Sequence, residues 1–159
     1  MSKTLYLMRH GKAEQTPGLK DFDRGLIDRG MRDSRRQAQE IFIDDIPDRF
    51  IVSSSLRTTQ TVLHMQQEID FPKDHIEYED GLYLCSIKDL LQCVNELNDL
   101  WKNVCIVGHN PSINYLAEYL TNEAIGHVRT SGVVKMTFDG RWAEMSQGTA
   151  NFEFYKAGK

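Results

Sequence analysis

The sequence predicts an α/β fold: a single three-layer domain over residues 1–159, with a mostly parallel central sheet flanked by helices and an outer antiparallel strand pair near the C-terminus. Three observations predict it. Short apolar runs around Leu5-Tyr6-Leu7-Met8, Phe50-Ile51-Val52 and Val104-Cys105-Ile106-Val107 have the length and unbroken apolarity of strands buried on both faces. Segments with apolar residues at helical spacing separate these runs. Towards the end the pattern changes to alternation, at Val134, Met136 and Phe138 and again at Phe152 and Phe154, as in half-buried antiparallel strands.

The first run stops on Arg9-His10-Gly11. In open α/β sheets ligands sit beyond the carboxyl ends of the strands, so Arg9 and His10 lie where chemistry is expected, and Gly11 lets the backbone turn close to a ligand. Residues 12–29, with Pro17, Gly18 and Gly25, read as a long loop over that strand end. Residues 28–44 carry Met31, Ala38, Ile41 and Phe42 at near-helical spacing and form a surface helix that ends before Pro47. The second strand leads into Ser53-Ser54-Ser55, whose hydroxyls suit an N-cap, and a helix over 56–69 with Val62, Met65 and Ile69 on one face. Arg57 then falls in the first helical turn. The helix dipole repels a cation there unless an anion is bound.

A weaker strand at 75–78 precedes Ser86-Ile87-Lys88-Asp89, a helix start with Ile87, Leu90, Leu91, Val94 and Leu97 as its apolar stripe. The third buried strand ends on Gly108-His109-Asn110-Pro111, with Asn110 as N-cap and Pro111 at the first helical position. Asp139-Gly140 is the turn within the terminal strand pair.

Length and composition restrict the function. A chain of 159 residues, 40% hydrophobic and 26% charged, is sized for one core. The net charge of -4 and the lack of a basic run argue against a nucleic-acid partner. No apolar stretch approaches the roughly 18 residues of a membrane span, and no signal-peptide pattern opens the chain, so a cytoplasmic protein without membrane association is expected. Cys85, Cys93 and Cys105 form no Cys-x-x-Cys pair and read as reduced core residues. The histidines lack metal-site spacing; no metal and no cofactor are expected.

Three strands thus deliver Arg9 and His10, the serines leading to Arg57, and His109 towards one sheet edge. Two arginines and two histidines converging on an acidic protein make a local cationic site, and a phosphoryl group fits it because the guanidinium fork binds its oxygens bidentately. Helix starts near Arg57 and after His109 add backbone N–H donors. With no catalytic cysteine at a strand end and no glycine-rich phosphate loop, the nucleophile candidate is His10. His64, His75 and His127 are taken as structural.

Arg9-His10-Gly11, the segment Ser53-Ser54-Ser55-Leu56-Arg57-Thr58-Thr59-Gln60-Thr61 and Val107-Gly108-His109-Asn110-Pro111 together resemble the histidine phosphatase (phosphoglycerate mutase-like) superfamily. Asp23-Arg24-Gly25-Leu26-Ile27-Asp28-Arg29-Gly30 and Leu82-Tyr83 are similar to its short branch of SixA-like phosphohistidine phosphatases. The resemblance runs from Leu5 to about Phe138. It implies that His10 becomes phosphorylated while Arg9, Arg57 and His109 bind the phosphoryl oxygens. Ser55 stands where relatives often have proline, and the segment from Gly25 to Asp28 lacks the usual proline and threonine, which should tune loops. Of the carboxylates near the expected proton-donor position, Glu77, Glu79 and Asp80, Glu79 is the candidate. The implied activity is removal of phosphate from protein phosphohistidine. Small-molecule phosphomonoester hydrolysis and non-catalytic phosphate binding are the alternatives, so the partner is a phosphorylated protein or a small phosphorylated substrate.

Overall fold

The computed structural model describes residues 2–158. Its sheet has six strands, β1 (Ser2–Arg9), β2 (Arg49–Ser53), β3 (Ile76–Glu79), β4 (Asn103–Gly108), β5 (Val133–Asp139) and β6 (Asn151–Lys156), in the order β3-β2-β4-β1-β5-β6. The β1–β4, β4–β2 and β2–β3 ladders are parallel, whereas β5 runs antiparallel to both β1 and β6. Four helices cover it: α1 (Asp28–Gln37), α2 (Leu56–Gln66), α3 (Ile87–Asn95) and α4 (Ser112–Thr121). The α/β architecture with its outer antiparallel pair is as the sequence predicts.

Alternation along the central strands creates the layers. Leu5, Leu7, Ile51, Val104 and Ile106 point to one face, where Leu90 and Val94 of α3 and Ile113, Leu116 and Leu120 of α4 cover them. Tyr6, Met8, Phe50, Val52, Cys105 and Val107 point to the other, against Ala38, Phe42 and the Val62 and Met65 of α2. Because both faces are covered, these strands read as continuous apolar runs. Cys105 is buried, Cys85 and Cys93 are half-buried, and all three are free thiols. No helix among the described residues is long and apolar enough to cross a membrane.

Three local expectations need correction. The helix expected over 28–44 is α-helical only to Gln37 and continues as a π-helical turn, Ala38–Phe42. Of its expected apolar stripe only Ala38 and Phe42 are fully buried, and α1 itself buries Gly30, Asp33, Ser34 and Gln37. The reason is close backbone packing: a Cβ on Gly30 would sit 2.2 Å from the Lys12 carbonyl oxygen. The Gln37 side-chain amide meanwhile donates to the carbonyls of Ser131 and Lys156, at 2.8 and 3.0 Å. Helix α4 starts one residue later than expected, with Pro111 as its N-cap, although Asn110 Oδ1 still accepts from the Asn114 amide at 3.2 Å. Asp139-Gly140 does not make a tight hairpin. Residues 140–150 intervene and bury Trp142, whose indole N–H donates to the Trp101 carbonyl at 2.8 Å.

Candidate active site

Register places the candidate residues. On the parallel β1–β4 pair Arg9 lies opposite Gly108, so the residues that follow, His10 and His109, leave the sheet side by side. Their ring centroids are 5.4 Å apart. Strand β2 lies on the other side of β4, and α2 follows it so closely that Arg57, the second helical residue, points back between the two rings. His10, Arg57 and His109 are 7%, 3% and 2% exposed.

The hydrogen bonds define the tautomers. His10 Nδ1 lies 2.7 Å from the Gly11 carbonyl oxygen, which can only accept, so Nδ1 carries the proton and Nε2 bears the lone pair. Arg57 Nε–H points at that Nε2 from 3.4 Å. One Nη2 hydrogen of Arg57 is directed to His109 Nδ1 at 3.3 Å, which makes Nδ1 the acceptor and leaves Nε2–H of His109 to donate to Ser53 Oγ at 2.8 Å. The Gly11 amide donates to Thr61 Oγ1 at 2.9 Å, and that hydroxyl donates to the Arg57 carbonyl at 2.7 Å, tying the strand-end turn to α2. Gly11 has no room for a side chain, since a Cβ would come within 2.9 Å of the Gly30 carbonyl oxygen.

Burial pushes the His10 pKa down to about 3, with the Gly11 hydrogen bond opposing and His109, Arg57 and Arg9 adding to the fall. Burial and the Arg57 charge push His109 down to about 4. Both imidazoles are therefore neutral at neutral pH, and His10 Nε2 carries a free lone pair.

Arg9 is half-buried at the other flank. Its Nη1 donates to the Val128 carbonyl at 3.2 Å and lies 3.4 Å from His127 Nε2, while its Nε is buried without a hydrogen-bond partner. Burial lowers the Arg9 pKa, and Arg57 lowers it further. His127, expected to be merely structural, thus stands at the rim of the site.

The carboxylate at the site is not the expected one. Glu79 ends β3 and faces a separate groove with Glu77, Asp89, Cys93, Glu96 and Trp101, a groove lined by none of His10, Arg9, Arg57 or His109. The carboxylate against Arg57 is that of Asp21, from a short 3-10 turn, Asp21–Asp23, in the long loop after β1. Its carbonyl oxygen accepts from Arg57 Nη1 at 2.7 Å and its Oδ2 from Nη2 at 3.0 Å, while the Tyr83 hydroxyl donates to the same Oδ2 at 2.5 Å. The Tyr83 and Arg57 hydrogen bonds hold the Asp21 carboxyl down to about 2. Tyr83 also meets His109 edge to face, with centroids 5.5 Å apart. Ser53, Asp21 and Tyr83 complete the site without having been singled out for it. For Ser53 the signal was present: it is the last residue of β2, beside the strand that carries His109. Among the described residues no group of three or more His, Cys, Asp or Glu is arranged to hold a metal ion.

A strand order with a switch at β1 and β4, and two histidines and an arginine at that switch, define the histidine phosphatase fold in its short, SixA-like form. Solved structures agree. A candidate phosphohistidine phosphatase SixA from Agrobacterium tumefaciens is 25% identical, with a TM-score of 0.83 over 98% of this chain and 97% of that one. A protein histidine phosphatase SixA complexed with tungstate is 24% identical, with a TM-score of 0.83 over 98% and 97% of the two chains. A mycobacterial glucosyl-3-phosphoglycerate phosphatase shares the fold at 13% identity, with a TM-score of 0.75 over 99% of this chain and all of that one. In sequence, an uncharacterized protein of Mycobacterium tuberculosis is 28% identical over 155 residues, 90% of this chain and 94% of the relative. No family model matches the chain.

Proposed function

We propose that the chain is a phosphatase that removes the phosphoryl group from phosphohistidine on a protein, through a covalent phosphohistidine formed at His10. The observation that carries this reading is the pairing of an unprotonated His10 Nε2 with the side edge of Arg57, beside a second neutral imidazole and with the Asp21 carboxylate on Arg57 held ionised. The His10 Nε2 lone pair attacks phosphorus in line. The bond from phosphorus to the leaving nitrogen breaks, and that nitrogen keeps the electron pair and takes a proton from solvent. Water then attacks phosphorus, the bond to His10 Nε2 breaks, and phosphate leaves with His10 regenerated.

Arg57 and Arg9 supply the positive charge for the phosphoryl oxygens, so turnover without a metal ion is part of the proposal. Arrival of a dianion favours protonation of His109 Nδ1, which then donates to a phosphoryl oxygen. Leaving-group chemistry selects the substrate class. An alkoxide needs a neutral acid beside it, and Asp21, with a pKa near 2, is ionised at neutral pH, whereas an imidazole leaves far more readily. The test is a panel of a phosphohistidine protein against phosphate monoesters. Higher kcat/KM on the P–N substrate is expected, and preference for esters would return the assignment to a small-molecule phosphomonoesterase.

A further inference from the structure

Arginine offers two bidentate edges, an end-on edge made by Nη1 and Nη2 and a side edge made by Nε and Nη2. Both edges of Arg57 are assigned. The end-on edge is closed by Asp21, through its carbonyl oxygen at 2.7 Å and its Oδ2 at 3.0 Å. The side edge faces His10 Nε2 at 3.4 Å and His109 Nδ1 at 3.3 Å, both longer than a strong charged hydrogen bond. Those two nitrogens flank the space into which a phosphoryl group must come for attack by His10.

We infer that Asp21, steadied by the Tyr83 hydroxyl, is a positioning residue that clamps the end-on edge of Arg57 so that its side edge is presented to the phosphoryl group between the two histidines. The inference rests on the phosphatase reading only for the identity of the anion. Asp21 does not itself occupy the anion's place, because its contacts fall on the end-on edge, with Nη2 shared between that edge and the side edge. A long side chain leaving the first turn of α2 has several rotamers open to it, and fixing one in advance removes the ordering cost at the moment of binding. Tyr83 fits the same purpose three times over. Its hydroxyl binds Asp21 Oδ2 at 2.5 Å, its ring lies 5.9 Å from the Arg57 guanidinium carbon, and its edge-to-face contact with Phe22 at 4.9 Å packs the Asp21 turn down. The Asp21 side chain is 44% exposed on a loop while that of Arg57 is 4% exposed, so the carboxylate can be removed without opening the core.

The experiment combines Asp21→Ala, Tyr83→Phe, Arg57→Ala and the Asp21→Ala/Arg57→Ala double variant. Two readouts are used: kcat/KM on a phosphohistidine protein, and the 15N-edited signal and hydrogen-exchange rate of the Arg57 Nε–H in free enzyme. Asp21→Ala is expected to lower kcat/KM about 10- to 100-fold and Tyr83→Phe by less, with faster exchange and motional averaging of the Arg57 Nε–H in both. Asp21→Ala should add almost nothing in the Arg57→Ala background, because the lost interaction is already gone. An equal loss in both backgrounds, an unmoved Nε–H signal, or tighter binding of inorganic phosphate by Asp21→Ala would each overturn the inference, the last by making the carboxylate a competitor. A wild-type enzyme with no turnover would defeat the phosphatase reading, while the Nε–H signal still decides whether Asp21 holds Arg57.

Discussion

Two histidines buried in their neutral form make the fold sensitive to mild acid, and the size of the effect follows from their surroundings. An unfolded histidine protonates near pH 6.5, whereas in the folded protein His10 waits until about pH 3 and His109 until about pH 4. Between these limits the unfolded chain binds more protons, so stability is fully present above the unfolded pKa and falls as the pH drops towards the folded values. Each such histidine contributes a slope of about 1.4 kcal/mol per pH unit, and the pair should cost about 5 kcal/mol between pH 7.5 and 4.5. That is a large share of the roughly 5–15 kcal/mol by which domains are stable. The carboxylates with depressed pKa, Asp21, Glu14 and Glu40, act at lower pH, since their contribution is lost only as the pH falls through and below the ordinary carboxylate range. His64, lowered by burial and by Arg35, falls in the same window and has to be separated.

Urea denaturation of the wild type, His64→Gln and the His10→Gln/His109→Gln double variant at intervals from pH 7.5 to 4.5 measures the slope. The wild type and His64→Gln should lose stability steeply, while the double variant should keep only the smaller slope by which the wild type and His64→Gln differ, the part due to His64. A double variant as acid-sensitive as the wild type would refute neutral burial of the pair, and with it the free lone pair on His10 Nε2.

Other expectations concern turnover and packing. His10→Ala should abolish turnover on a phosphohistidine protein while inorganic phosphate or vanadate still binds, as read by calorimetry; rapid-quench mass spectrometry of the wild type should find an acid-labile phosphoryl group on His10, and finding it on His109 would reverse the roles. Arg57→Ala should lower kcat/KM on the order of 10²- to 10³-fold and weaken anion binding too, because it removes contacts made before and during the transition state. Activity should be the same after treatment with a chelator, and its loss with recovery on adding a divalent ion would refute the arginine account. Gly30→Ala should cost about 1–3 kcal/mol of stability, read as a lower Tm, because its Cβ would lie 2.2 and 2.8 Å from the Lys12 backbone oxygen and nitrogen, atoms that cannot rotate away.

The parts of the site that were legible in the sequence are those fixed by the sheet. His10, His109 and Ser53 sit at or just past strand ends, where apolar runs change abruptly to polar residues, and Arg57 is tied to its strand by a turn of only two residues. Asp21 and Tyr83 were harder to read. Both belong to loops whose path depends on side chains far apart in sequence, and an aspartate among Lys20, Asp23 and Arg24 carries no periodic signal. Glu79 is the candidate carboxylate that the family resemblance offers beside Glu77 and Asp80, but it ends β3, the edge strand, and the groove it lines is shared with α3 rather than with β1. The polar buried face of α1 was invisible for a related reason. Its partners are backbone atoms of residues 12, 131 and 156, and hydropathy patterns register only apolar burial.

This division of labour has a chemical consequence. The proposed nucleophile His10 and its neighbouring imidazole are set by the β1–β4 ladder, whose register cannot slip by one residue without turning every core side chain to the wrong face. The distance between His10 and His109 is thus as rigid as the sheet. The direction of Arg57 is held instead by one loop carboxylate and one phenol, both open to solvent in part and both displaceable at little cost to the fold. Two neutral imidazoles on a rigid frame and one guanidinium on an adjustable clamp make a site whose attacking group is constant. On the proposed mechanism, changes around Asp21 and Tyr83 would alter how firmly the phosphoryl group is held without touching His10.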